Sequence, residues 1–183
     1  EDVRILESNS SDPSISMDGL PESSQDFFRY FLKGKTIVLL QPQKYEDSIW
    51  KLYSMLEYEF NSRVDGNLIL QPENTTYFET TYDADRFLIQ LEGKSSLRYP
   101  STPSDLSAFL STGTENDDTE ESALNKTELE SNDVLYVPQG FPIEINSDPS
   151  TFSLTLLIST NRKNAVADLL HFTVPTAIGN LKP

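Results

Sequence analysis

With 183 residues, including ten Phe, eight Tyr and one Trp, the chain is long enough to bury one core and too short for two independent domains. It has no cysteine, which excludes a disulfide framework, thiolate metal sites and a Cys nucleophile, and agrees with a reducing compartment. Its 14 Lys and Arg against 29 Asp and Glu give a net charge of -15, which repels phosphate backbones; the charge favours solubility, and a basic protein is a more natural partner than a nucleic acid.

The chain opens on Glu1 without a signal-peptide pattern and reads as a fragment of a longer protein. Glu7 to Ser24 is rich in Ser, Asp, Pro and Gly, the composition of an exposed loop, and includes Asn9, one of three Asn-x-Ser/Thr triplets with Asn74 and Asn125, a pattern that chance supplies often. Gln25 to Leu32 is a short aromatic amphipathic helix stopped at Gly34, and Lys35 to Leu40 reads as a β-branched strand. From Tyr45 to Phe60 the apolar positions Ile49, Leu52, Tyr53, Leu56 and Phe60 recur every three or four residues, predicting a helix of about four turns whose aromatic stripe, Trp50 included, packs on a sheet.

Beyond Gly66 come short β-like runs: Asn67 to Leu70, Arg86 to Leu91, Ser96 to Tyr99, Val134 to Val137, Ile143 to Ile145 and Phe152 to Ser159. Short strands with loops between them predict a sandwich or barrel. Thr112 to Glu121 is acidic and poor in apolar residues, which makes it a flexible insertion, and Asp168 to Ile178 reads as a closing helix broken at Pro175. The longest apolar runs, such as Ile37 to Leu40, are too short to cross a bilayer.

Three stretches are specific in combination. Phe87-Leu-Ile-Gln-Leu-Glu-Gly93, Asp133-Val-Leu-Tyr-Val-Pro-Gln-Gly140 and Ser153-Leu-Thr-Leu-Leu-Ile-Ser-Thr160, followed by Asn164 and Asp168, occur in the order found in JmjC-type ribosomal oxygenases, and the helix from Gln41 to Leu56 resembles the one ahead of their barrel. The resemblance runs from about Val38 to Pro175. It implies a mostly β fold with flanking helices, a double-stranded β-helix of the cupin/JmjC jelly-roll type, occupying residues 35–183 behind an N-terminal segment 1–34 and carrying an acidic insertion at about 101–130.

In that family iron is held by a His-x-Asp pair just before the first of these strands and by a second His shortly after the Pro-x-Gly turn, leaving open positions for 2-oxoglutarate and oxygen. Here Thr81 takes the first histidine position if Asp83 is the carboxylate, or Thr80 does if no gap is allowed, and Ile143 takes the distal one. The whole chain holds one histidine, His171, so two imidazoles cannot come from it whatever the alignment. His171 falls in the closing helix, away from the iron positions. At the cosubstrate anchors Asn67 matches, a family Tyr is replaced by Ile69, and Ser95 stands where the family has a lysine, with Lys94 one place early and thus on the opposite face of the strand.

A cluster of Glu79, Asp83, Asp85 and Glu144 could bind a hard cation, but acidic residues beside strands are more often simply solvated. No phosphate loop, nucleophile elbow or Ser-His-Asp triad is present. The expectation is a pseudo-enzyme without metal or cofactor that binds a protein, with a basic ribosomal or chromatin-associated partner and a nuclear location implied by the resemblance alone. The alternatives are an iron and 2-oxoglutarate dependent hydroxylase or demethylase with an atypical metal site, and a structural module that homodimerises.

Overall fold

The computed structural model describes residues 2–6, 24–79, 83–102, 109 and 124–160. Within them lie strands β1 (Val3–Leu6), β2 (Thr36–Leu40), β3 (Val64–Gln71), β4 (Thr76–Glu79), β5 (Asp85–Pro100), β6 (Leu124–Glu130), β7 (Val134–Val137), β8 (Ile143–Ser147) and β9 (Ser153–Thr160), with helices α1 (Ser24–Leu32) and α2 (Asp47–Phe60). The expected loop from Glu7, the insertion Thr112 to Glu121, the closing helix from Asp168 and His171 lie outside the described residues.

Every strand pairing is antiparallel, and the sheet runs β1-β2-β3-β9-β5-β8-β4 with β6 and β7 added to β5. Strand β5 folds this ribbon into two layers. Its first half pairs with β9 and β7, its second half with β8 and β6, and the register shifts between Gln90 and Glu92. Such a bulge bends a strand and increases its twist. Just beyond it Gly93 has φ +70, and a β-carbon there would collide with the carbonyl of Phe152, so only glycine fits the corner. The curled antiparallel sheet is a jelly roll, as the resemblance implied.

Side-chain alternation divides the residues of β3, β5 and β9 between two cores. Val64, Leu68, Phe87, Ile89, Leu156 and Ile158 face outward and meet Ile49, Leu52, Tyr53 and Leu56 of α2. Ile69, Leu88 and Leu157 face inward and meet Leu97, Tyr77, Ile143, Ile145 and Val137. The helix starts where the Glu46 carboxylate accepts from the Ser48 amide and ends at Asn61 in the left-handed region. Gly66 lets it lie close, since a β-carbon there would strike the Tyr53 hydroxyl and the Leu157 carbonyl.

Two expectations need correction, and three further strands are present. The runs at Arg86 to Leu91 and Ser96 to Tyr99 form one bent strand, because the Glu-Gly between them makes a bulge rather than a turn. Trp50 is 57 % exposed and does not pack on the sheet; it sits one residue away from the buried stripe. Strand β6 occupies the last residues of the stretch 101–130 read as an insertion, its polar composition arising because Leu129 alone of its side chains is buried. Strands β1 and β4 were not expected at all, and β1 pairs with β2 from within the segment 1–34.

Candidate functional site

The register stacks the inward side chains of the first sheet in layers. Asp65, Ser159 and Arg86 are aligned across β3, β9 and β5; next come Asn67, Leu157 and Leu88; then Ile69, Thr155 and Gln90. From the other sheet, Glu79 of β4 lies opposite Ile143 of β8, and Tyr77 opposite Ile145. One end of the barrel is therefore polar, its middle apolar, and its far end polar again.

At the first end Arg63, Asp65, Asn67, Glu79, Asp83, Ala84 and Ser159 line a cavity of about 340 Å³. The structure thus brings Asn67 and Asp83 to one opening, with Ile143 fully buried beside it in the core. Thr80 and Thr81 lie outside the described residues. Ile69, with no exposed surface, sits one layer deeper and contributes only apolar packing.

Ser95 points into the far end, where it donates to the side-chain oxygen of Gln90 at 2.7 Å. Thr155 donates to the same oxygen at 3.0 Å, while the Gln90 amide nitrogen donates to Ser153 Oγ at 3.0 Å and to the Glu92 carbonyl at 2.7 Å. Every hydrogen-bonding position of this buried amide is filled, so the place implied for a cosubstrate-binding lysine holds a closed neutral network. Lys94 is on the outer face, paired with Glu130 at 2.5 Å.

The four acidic residues considered for a hard cation do not gather. Asp85 turns outward and accepts from Tyr136 Oη at 2.8 Å and from the Gln139 amide at 3.1 Å, tying down the Pro138–Gly140 turn. Glu144 is engaged by Arg98 at 3.3 Å and by the Asn146 amide at 2.7 Å. Only Glu79 and Asp83 reach the cavity. Among the described residues no three His, Cys, Asp or Glu side chains are placed to share a metal ion.

Arg86 is the residue that sequence reasoning left without a role. Its side chain has no exposed surface. Nη2 donates to the Phe141 carbonyl, two residues before Ile143, while Nε and Nη1 have no hydrogen-bond partner among the described residues. Burial lowers its pKa from the ordinary arginine value, and the charges of Glu79 and Asp83 and the Tyr77 hydroxyl act in the opposite direction. Tyr77 donates to Glu79 Oε2 at 3.0 Å, and its own pKa is raised well above the usual value, by burial first and then by Glu79. A signal was present in the sequence: Arg86 shares period-two spacing with Leu88 and Gln90, which assigns the three to one face.

This is a jelly-roll domain with a polar cavity at one end of its barrel, and comparison with known proteins agrees. The JmjC domain family model matches residues 38–167, and the chain belongs to that family. It is 33% identical over 150 residues to the bifunctional lysine-specific demethylase and histidyl-hydroxylase NO66 of Branchiostoma floridae, covering 81% of this chain and 21% of that protein. Human ribosomal oxygenase 1 is 31% identical over 148 residues, covering 79% of this chain and 23% of that protein. The chain therefore spans about a fifth of the length of these relatives. The fold also matches YcfD, a ribosomal oxygenase from Escherichia coli, with a TM-score of 0.58 at 16% identity, over 98% of this chain and 44% of that one.

Family membership implies ferrous iron and 2-oxoglutarate, and the donor set does not fit them. Ile143 offers no lone pair, the chain holds a single histidine, and the interior next to the cavity already carries the positive charge of Arg86. The dicarboxylate would meet Ser95 bound into the Gln90 network where a cation would be needed.

Proposed function

We propose that this domain keeps the JmjC barrel without its oxygenase chemistry and serves as a protein-binding module. The observation that carries this reading is Ile143, fully buried and opposite Glu79 at the position implied for the second iron-binding imidazole. Supporting it, the single histidine of the chain rules out a two-histidine site built from these residues alone.

The occupant of the module is a basic protein segment, since 29 acidic residues against 14 basic ones make the surface attractive to Lys and Arg. Relatives named ribosomal oxygenase, histidyl-hydroxylase and lysine-specific demethylase suggest nuclear surroundings and ribosomal or chromatin-associated partners. Homodimerisation is the further scaffolding role to test alongside, by sedimentation of the purified chain.

Titration of the metal-stripped chain with Mn(II) and 2-oxoglutarate by calorimetry tests the reading. No heat of binding up to millimolar ligand is expected. Tight stoichiometric binding of both would overturn it and make a hydroxylase or demethylase with an atypical metal site the better description.

A further inference from the structure

We propose that Arg86 is a built-in cation of the barrel, standing as the fixed positive partner of Glu79 and Asp83 at the end where the family places its metal. The inference rests on the non-catalytic reading and extends it: the interior carries a positive charge of its own beside these carboxylates, and that charge opposes a metal ion.

The position follows from register. Arg86 lies in the same layer as Asp65 and Ser159 and points to the interior with Leu88 and Gln90. Its guanidinium reaches the Phe141 carbonyl, at the entry to the strand that carries Ile143. On the facing strand Glu79 is 8 % exposed and takes the Tyr77 hydroxyl at 3.0 Å, while Asp83 lines the same cavity as Glu79.

A buried guanidinium needs negative charge nearby, because its lost hydration is repaid only by Coulomb attraction and hydrogen bonds. Nη2 has a hydrogen bond, and Nε and Nη1 have none among the described residues. The charges of the two carboxylates and the Phe141 hydrogen bond offset part of the cost of burying it. The converse also holds. Glu79, nearly buried, would lose a neighbouring positive charge if Arg86 were removed, and a divalent cation is the simplest replacement for that charge. With Arg86 present, an ion brought to these carboxylates meets a fixed like charge in a medium that screens poorly.

The test compares four forms of the whole chain by thermal unfolding with and without millimolar Mn(II), and by Mn(II) titration. Wild type is expected to show no metal-dependent shift. Arg86→Met should melt lower than wild type, regain part of the loss on adding Mn(II), and bind the ion at least about tenfold more tightly than wild type, a factor worth about 1.4 kcal/mol. Arg86→Met/Glu79→Gln, with both charges gone, should melt above Arg86→Met and lose the Mn(II) response. Arg86→Lys retains the charge and should stay indifferent to Mn(II), which keeps the proposal testable if Arg86→Met fails to fold.

An Arg86→Met protein that binds Mn(II) no better than wild type and gains nothing from Glu79→Gln overturns the proposal, as does an Arg86→Lys protein that binds the ion. Either result leaves the non-catalytic reading standing. Stoichiometric binding of Mn(II) with 2-oxoglutarate by wild type would overturn both.

Discussion

Gln90 has no exposed surface, and its side chain makes four hydrogen bonds, two donated and two accepted. Its partners Ser95, Ser153 and Thr155 are themselves buried, so removing the amide takes away the partner of the Ser95 hydroxyl and leaves Ser153 and Thr155 with their mutual contact at 3.3 Å. Gln90→Leu preserves bulk while deleting the network and should cost about 3 kcal/mol. Urea unfolding checks this: the midpoint should fall with little change in slope, and an unchanged midpoint would mean that the hydroxyls find other partners. The network also gives Ser95 a structural role at a position where the family resemblance pointed to a cosubstrate. Tyr53 shows the opposite case, a buried hydroxyl with no partner among the described residues whose pKa is pushed far up by burial first and then by Asp65.

At the scale of elements, β1 is held to the body of the domain by its pairing with β2 and by Asp2. The Asp2 carboxylate accepts from Tyr45 Oη at 2.8 Å and from Lys44 Nζ at 3.2 Å, joining the start of β1 to the turn before α2. These hydrogen bonds, the one from Tyr45 foremost, hold its pKa below the usual Asp value. A carboxyl with a lowered folded pKa stabilises the fold fully above its unfolded pKa and loses that contribution as pH falls through the folded value. Asp2→Asn should therefore reduce stability at neutral pH slightly and narrow its gap from wild type in acid. Thermal melts across the acidic range test the sign, and a gap that widened below the ordinary carboxylate range would show the pairing to be absent. Helix α2 is attached differently, through Ile49, Leu52, Tyr53 and Leu56 against β3, β5 and β9, while Trp50, Met55 and Tyr58 face solvent.

For the molecule as a whole, the net charge of -15 makes association with a basic partner steeply dependent on ionic strength. Binding of a Lys- and Arg-rich peptide, followed by fluorescence anisotropy, should weaken at least about tenfold from low to physiological salt. An affinity indifferent to salt would point to apolar recognition and sink the basic-partner reading. The matched stretch covers only 21% and 23% of the two relatives compared, so binding of this kind would operate alongside whatever a longer protein contributes.

Sequence alone determined the fold class and the absence of a second imidazole. Alternating runs and the Leu-Glu-Gly and Pro-x-Gly turns report local backbone geometry, which each stretch carries in its own residues, and a histidine count is independent of alignment. The tertiary structure decided the rest. Period-two spacing groups Arg86 with Leu88, but only the pairing of β5 with β9 and the position of α2 determine which face is interior. Asp85 and Asp83, two residues apart, part company because one is drawn to Tyr136 and the Gln139 amide while the other lines the cavity. The influence of Glu79 on the charge of Arg86 depends on β4 and β8 folding over from the other sheet, an arrangement of strands that no local pattern encodes.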